Sequence, residues 1–278
     1  MKALYDTTSF QLSKVVTTSY STSFSLAVKM LHRDMAAPIY SIYGFVRLAD
    51  EIVDSFHDFN KKELLDRFIA DTYRAIDEGI STNPILHSFQ TTVNYYGIDR
   101  GLIDIFLQSM AMDLNPQKYD EKKFDNYIYG SAEVVGLMCL RVFCENDQEK
   151  YKLLYHDARK LGAAFQKINF LRDLHHDYKE LGRVYFPDLN LENFDEDIKS
   201  KIEADIESDF ADGLRGIRNL PIKSRLGVYL AYNYFFFLYK KIQITPANLI
   251  LNQRVRIANF NKILIGCKAY FKYRLDSI

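Results

Sequence analysis

The sequence contains no tryptophan and only three cysteines, six prolines and twelve glycines in 278 residues. The cysteines are odd in number and show no C-x-x-C spacing, which argues against a disulfide framework or a structural zinc site. This cysteine usage suits a reducing cytosol, so we predict a cytoplasmic protein. Proline and glycine are sparse and fall where helices would begin or end, which favours an all-α fold.

The chain also lacks a charge excess and a long apolar run. Lys plus Arg and Asp plus Glu number 36 each, so the overall charge indicates no nucleic-acid partner. Residues 1–10 contain no apolar leader segment, and the longest apolar uncharged stretch, residues 226–239, is too short to span a bilayer. We therefore expect a soluble protein or one that contacts the inner membrane only at its surface.

Capping residues and apolar periodicity predict helices over most of the chain. The one conspicuous irregular stretch is a loop at 182–194. Asn60 with Glu63 forms a capping box, and Asn83 with Pro84 marks another start. No repeat or linker divides the chain, so we predict a single domain over 1–278, a helical bundle around a deep central pocket. The predicted helices are 10–31, 38–56 (opened by Pro38), 60–79, 84–97, 99–114, 120–144, 148–181, 195–219, 222–243 and 254–274.

Two acidic segments, RLADEIVD at 47–54 and NFLRDLHHD at 169–177, are the most informative feature of the sequence. In a helix, residues four apart share one face, so each segment forms an oxygen-rich stripe. Stacked carboxylates repel each other unless a cation lies between them, and Mg²⁺ takes oxygen ligands of this kind. The predicted metal ligands are Asp50, Asp54, Asn169, Asp173 and Asp177. Whether Glu51 also binds metal stays open, because it is turned about 100° from Asp50.

Both segments, together with Gln166 and GRVYFP at 182–187, resemble the two signature regions of the squalene/phytoene synthase family, whose members join two isoprenoid diphosphates head to head. Residues 19–25, SYSTSFS, resemble the family's diphosphate-contacting segment. Residues 128–136, IYGSAEVVG, resemble the stretch that offers an active-site tyrosine. The sequence departs from the pattern at Tyr20, where some members have His, and at Glu51, where many have Asp.

The resemblance implies an all-α isoprenoid-synthase fold and a prenyltransferase that acts on an isoprenoid diphosphate. It implies two to three Mg²⁺ ions as cofactor, with Mn²⁺ as a substitute. The implied catalytic residues are Asp50, Asp54, Asp173, Asp177 and Tyr129. The implied substrate-binding residues are Tyr20, Ser21, Ser23, Tyr43, Arg47, Gln166, Arg172 and Arg183; the arginines suit phosphate oxygens, and Arg183 would close over the leaving group.

Three features favour phytoene, made from two geranylgeranyl diphosphates as the first step of carotenoid biosynthesis. No C-terminal membrane anchor is evident, no Gly-x-Gly pair is present for NADPH, and the aliphatic residues Leu26, Ala27 and Val28 beyond Phe24 would leave room for a C20 tail. The alternatives are a C30 squalene or dehydrosqualene synthase, a terpene cyclase with similar magnesium chemistry, and a non-catalytic helical scaffold. An apolar product would be handed over at a membrane; the oligomeric state stays open.

Overall fold

The structure, a computed structural model, describes residues 1–115, 119–187, 189 and 194–275. Helices form about 80% of these described residues, and no strand occurs among them. The predicted all-α class is therefore confirmed. The helices in chain order are α1 (Lys2–Tyr20), α2 (Thr22–Val28), α3 (Arg33–Asp54), α4 (Lys61–Glu78), α5 (Pro84–Tyr96), α6 (Arg100–Met112), α7 (Glu121–Ile128), α8 (Val134–Phe143), α9 (Gln148–Leu181), α10 (Glu196–Asn219), α11 (Ile222–Gln243), α12 (Ala247–Ile250) and α13 (Asn259–Arg274), with a π-helical turn (Tyr129–Glu133) between α7 and α8.

Helices with strong capping residues agree with the sequence prediction. The Asp147 side chain accepts a hydrogen bond at the start of α9, and Gly182 ends it in the left-handed conformation that glycine adopts without strain. The result is a helix over residues 148–181, as predicted, that packs against α8, α10 and α11. The loop predicted at 182–194 lies partly outside the described residues.

The predicted helix 10–31 is wrong, because two helices occupy residues 2–28. The backbone at Ser21 is extended, with φ −141° and ψ 104°, and separates α1 from α2. The prediction missed the start of α1 because the buried stripe of this helix consists of Ser9, Ser13 and Thr17 rather than apolar residues. The Ser13 and Ser88 hydroxyls are 2.7 Å apart, which satisfies both groups where α1 packs on α5.

Two other predicted boundaries are also wrong. Helix α3 begins at Arg33, capped by His32, so Pro38 lies inside the helix instead of opening it. The last long helix begins at Asn259 rather than at 254, and the short helix α12 precedes it. In both cases the apolar pattern gave the element correctly but did not give its start.

Behind α3 lies a stacked aromatic core that fixes this helix in the bundle. The ring centroids of Phe45 and Phe89 are 3.8 Å apart with almost parallel planes, and Phe106 packs on Phe45 at 5.5 Å. All three side chains are fully buried. Burial of a phenylalanine side chain stabilises a fold by about 1.5–3 kcal/mol. The opposite face of α3 therefore stays in place beside the central cavity.

Candidate active site

A cavity of about 740 Å³ lies between α3 and α9, within the usual size range of ligand pockets. Residues of α2, α8, α10 and α11 complete its walls. Eleven of the fourteen site residues predicted from the sequence line it: Tyr20, Ser21, Tyr43, Arg47, Asp50, Asp54, Gln166, Asn169, Arg172, Asp173 and Asp177. The structure therefore brings the two distant acidic stripes together around one space.

On α3, Arg47 is the organising cation. Its NH1 group donates to Asp50 Oδ2 at 2.6 Å, its NH2 group pairs with Glu51, and the Tyr20 ring lies 4.3 Å from the guanidinium carbon. Glu51 is therefore turned toward this arginine and is not among the cavity-lining residues. The Nε atom of Arg47 is buried without a hydrogen-bond partner in the described part of the chain. Arg47 lines the cavity, so its guanidinium adds positive charge to this wall.

On α9, Asp173 is held by two arginines. Arg172 donates to it through Nε at 3.0 Å and through NH2 at 2.5 Å. Arg254, which follows α12, contacts the same carboxylate through Nε at 2.6 Å and also lines the cavity. Sequence reasoning missed Arg254, because it lies 81 residues away in a segment without a recognisable motif.

The carboxylates of the two stripes interact across the cavity. Burial raises the pKa of Asp50 to about 6, and the neighbouring Asp54 adds to this effect against the pull of Arg47. Burial, Asp173 and then Asp54 raise the pKa of Asp177 to about 7. Since Asp54 belongs to α3 and Asp177 to α9, the helices present like charges to one another.

Arg183 is held by the carboxylate cluster rather than by the cavity wall. Its side chain is only 7% exposed, and its guanidinium donates to Asp54 Oδ1 at 2.6 Å and to the backbone oxygen of Asp113 at 2.8 Å. It is not among the residues that line the cavity in the described chain. These bonds tie the end of α3 to the segment that follows α9.

Asp113, which does line the cavity, is a second residue that sequence reasoning missed. Its carboxylate accepts hydrogen bonds from Tyr127 at 2.6 Å and Tyr185 at 3.3 Å. Burial raises its pKa to about 7, although Arg183 opposes the shift. The single aspartate at the end of α6 carried no spacing signal that could have identified it.

The tyrosine that reaches the cavity from residues 128–136 and their flank is Tyr127, not Tyr129 as the resemblance implied. The Tyr129 hydroxyl lies 3.4 Å from that of Tyr155, and the guanidinium of Arg159 covers its ring at 4.8 Å. The π-helical turn Tyr129–Glu133 changes the helical repeat here, so spacing along the sequence gave no signal for Tyr127.

The serines of the N-terminal segment separate in the structure. Ser21 lines the cavity and also caps α2, since its hydroxyl accepts a hydrogen bond from Phe24 N at 3.3 Å. Ser23 is half-buried and is not among the cavity-lining residues of the described chain. Only Ser21 is therefore placed for contact with a ligand in this cavity.

Beyond its polar mouth the cavity is apolar and aromatic. Phe24 stacks on Tyr43 with ring centroids 4.9 Å apart, and Phe165 stacks on Phe235 at 4.0 Å. The other apolar wall residues include Ala27, Val28, Leu31, Ile39, Ile42, Phe106, Met110, Leu140, Phe143, Leu154, Leu161, Ile217, Leu220, Val228 and Ala231. The site combines an entrance of acidic and basic side chains with an apolar interior.

An all-α bundle with acidic and basic residues at the mouth of an apolar cavity is the architecture of an isoprenoid synthase. Comparison with known proteins makes the assignment more specific. The family model described as squalene/phytoene synthase matches residues 17–261, and the chain belongs to that family of head-to-head prenyltransferases.

Individual relatives carry several related names. A 4,4'-diapophytoene synthase of Staphylococcus haemolyticus is 25% identical over 206 residues, 72% of this chain and 70% of that protein. A phytoene synthase of Arthrospira platensis is 27% identical over 201 residues, 68% of this chain and 64% of that protein. A crystal structure of a dehydrosqualene synthase in complex with ligand superposes with a TM-score of 0.81 at 18% identity and covers 98% of both chains. The structural likeness supports the fold.

The structure also bears on the predicted absence of a membrane span. Among the described helices, none is long and apolar enough to cross a bilayer.

Proposed function

We propose that the protein condenses two molecules of geranylgeranyl diphosphate head to head to form phytoene, with Mg²⁺ as cofactor. The observation that carries the proposal is the single cavity in which two carboxylate stripes and three arginines, Arg47, Arg172 and Arg254, lie at the mouth of a long apolar interior. An isoprenoid diphosphate has the same arrangement as the cavity, with a charged diphosphate at one end and an apolar prenyl chain along the rest of its length. The reaction would be the first step of carotenoid biosynthesis.

The residues present fit a magnesium cofactor. Within the described residues, no three Asp, Glu, His or Cys side chains converge to form a protein-only ion site. Mg²⁺ in phosphate enzymes is usually bound by one or two carboxylates together with substrate phosphates, so such a protein cage is not needed. The raised pKa values of Asp50 and Asp177 mark carboxylates whose charge lacks full compensation. We propose that Asp50, Asp54, Asn169, Asp173 and Asp177 hold the ions.

The polar residues of the mouth would bind and orient the diphosphate. The guanidinium of Arg47 would pair with a phosphate oxygen, and the guanidinium groups of Arg172 and Arg254 add positive charge on the opposite wall. The chemistry that bound Mg²⁺ would supply is neutralisation of the leaving diphosphate. The orientation of Arg47 is fixed from behind by Glu51 and by the Tyr20 ring.

The interior would guide the carbon chemistry by excluding water and presenting aromatic faces. After the first C–O bond breaks and its diphosphate leaves, the allylic cation is attacked by a double bond of the second substrate, and loss of a proton closes a cyclopropyl intermediate that keeps the second diphosphate. Loss of this diphosphate and of one proton completes phytoene. The stacked pair Phe24 and Tyr43, beside the mouth, is placed to stabilise positive charge through its π faces.

We propose the C20 substrate because the side chains that α2 presents to the cavity beyond Phe24 are small. Ala27 and Val28 line the cavity one turn beyond Phe24, whereas Leu26 is not among the lining residues. These small side chains leave space that a phenylalanine would fill. The alternative is a C30 synthase that uses farnesyl diphosphate, which the names diapophytoene synthase and dehydrosqualene synthase of two similar proteins favour.

Product analysis after incubation with each diphosphate and Mg²⁺, with and without NADPH, tests the proposal. We expect a C40 product from geranylgeranyl diphosphate without NADPH, and exclusive formation of a C30 product from farnesyl diphosphate would refute it. Val28→Phe should shift the preference toward the shorter substrate. Leu26→Phe, on the same helix but off the cavity wall, is the matched control and should leave the preference unchanged.

The metal assignment has a separate test. Asp173→Asn keeps the shape of the side chain but removes its charge, so the variant should fold, as judged by circular dichroism, yet bind Mg²⁺ more weakly and lose turnover. Glu149→Gln, an exposed substitution on the same helix, is the control. Full activity of the Asp173 variant, or of the wild type in excess chelator, would remove magnesium from the mechanism.

A further inference from the structure

The charge of this neutral chain is distributed very unevenly. From Gly213 to Leu275 the sequence contains twelve lysines and arginines and no aspartate or glutamate. The remaining residues therefore carry a formal charge of −12, since the whole chain is neutral. The basic segment comprises the end of α10 together with α11, α12 and α13. Four of its cations, Arg215, Lys223, Lys240 and Arg254, pair with carboxylates inside the protein, whereas the cations of α13 have no such partner among the described residues. The basic side chains of α13 are therefore available to an anionic partner.

Helix α13 exposes its most apolar side. It packs against α11 and buries Ile265 and Ala269 there. On the opposite side, Ile263 is 61% exposed and Phe271 is 65% exposed, with Leu264 and Tyr270 also open to solvent. At 100° per residue, these four outward side chains lie within an arc of about 120°. A helix with an apolar outer face has not completed its burial within this chain.

Basic residues border the apolar outer face. Lys268 and Lys272 are exposed on the next part of the helix surface, and Arg274 lies within the apolar arc. None of the three forms an ion pair with any described residue of the chain. Apolar side chains with lysines at their edge are the pattern of helices that lie in the interface of an anionic membrane. A symmetric pair of copies would instead bring these cations close to one another.

The inner side of α13 lies next to the mouth of the cavity. Lys262 Nζ of α13 is 2.5 Å from Thr22 Oγ1, and Thr22 directly follows the cavity-lining Ser21. Arg254, five residues before α13, also lines the mouth. We propose that α13 docks the protein on a membrane surface that contains anionic lipid, with its apolar side chains in the lipid interface. The docked enzyme would hold its cavity entrance near the bilayer, where an apolar product can dissolve.

Vesicle flotation with the purified full chain, in the absence of substrate, tests this proposal independently of catalysis. Wild-type protein should float with phosphatidylglycerol-containing vesicles and not with pure phosphatidylcholine vesicles, and high salt should weaken the binding. The double variant I263S/F271S should bind the anionic vesicles at least about tenfold more weakly, because neither serine can bury an apolar side chain in the lipid. The control L4S/L153S changes two residues that are 72% and 74% exposed elsewhere and should bind like wild type.

A second pair of variants tests the charges. K268Q/K272Q should weaken binding to anionic vesicles by roughly tenfold or more, at about fivefold for each lysine near a charged surface. The control K62Q/K152Q removes two exposed lysines of α4 and α9 and should have no effect.

Three results would overturn the proposal. These are equal flotation of I263S/F271S and wild type, equal binding to both kinds of vesicle, and absence of binding to either. A dimer in light scattering that I263S/F271S converts to a monomer, without vesicle binding, would assign the face to a second copy of the chain instead.

Discussion

Removal of Arg183 is the sharpest test of how the acidic site is held together. Arg183 is 7% exposed, and its guanidinium donates to Asp54, to the Asp113 backbone and, at 3.2 Å, to Tyr185 Oη. Replacing it by methionine keeps much of the volume but leaves Asp54 and Asp113 without their cation. Loss of one partner of a buried ion pair costs about 3–5 kcal/mol. Asp54 is 29% exposed, so we expect the lower end, about 3 kcal/mol.

For a chain of this size, that loss corresponds to a fall in Tm of roughly 6 to 12 °C. The fall should depend on pH, because Arg183 lowers the pKa of Asp50, Asp113 and Asp177 in the folded protein. Without the arginine these folded-state pKa values rise further above the unfolded value. A carboxyl with a raised folded pKa contributes stability below that pKa and loses it as pH rises through it. The variant should therefore lose more stability at pH 8 than at pH 5.5.

Calorimetric melting at both pH values measures this effect. Arg74→Met is the matched control: Arg74 is largely exposed and lies 3.4 Å from Asp71, so its loss should change Tm very little. Arg183→Lys keeps the charge with fewer donors and should fall between wild type and Arg183→Met. An equal loss of Tm at pH 5.5 and pH 8 would contradict the electrostatic account and leave only a packing role for Arg183.

Two further predictions follow from the site and its walls. Because the pKa values of Asp50 and Asp177 are raised to about 6 and about 7, protons compete with Mg²⁺ for these carboxylates. Titration calorimetry should therefore find tighter Mg²⁺ binding as the pH rises from 5.5 to 8. A Mg²⁺ affinity that is independent of pH would contradict this prediction. Gly162→Ala should destabilise the fold by about 1–3 kcal/mol, since the added Cβ would lie 2.8 Å from the backbone oxygen of Ala132; an unchanged melting temperature would show that α9 can move away.

Much of the fold was predictable because local signals agreed with one another. The bounds of α9 and α11 match the prediction, and Asn60 accepts the bond from Glu63 N at 3.2 Å that its capping role requires. Helix α1 was not fully predictable for a definite physical reason. Its buried face consists of serine and threonine residues whose hydroxyl groups donate hydrogen bonds to backbone oxygens, as Thr17 Oγ1 does to Ser13 O at 2.8 Å. Apolar periodicity does not detect such a face.

The candidate site divides in the same way. Its two stripes were predictable because i, i+4 spacing is a property of one helix, and the cavity indeed joins them. Asp113 and Arg254 come from separate elements, at the end of α6 and before α13, and only tertiary packing brings them to the mouth. Sequence spacing carries no information about such residues.

Arg183 shows that a residue inside a recognisable motif can make contacts that the motif does not reveal. The segment GRVYFP predicted a basic loop beside the diphosphate, and it does begin directly after α9, at the left-handed Gly182. The reversal at this glycine directs Arg183 back toward the end of α3, where Asp54 and the Asp113 oxygen accept its hydrogen bonds. An arginine tends to be bound by the nearest buried carboxylates, because leaving them unpaired is costly. The position of its charge in the site therefore depends on the whole carboxylate cluster rather than on the motif alone.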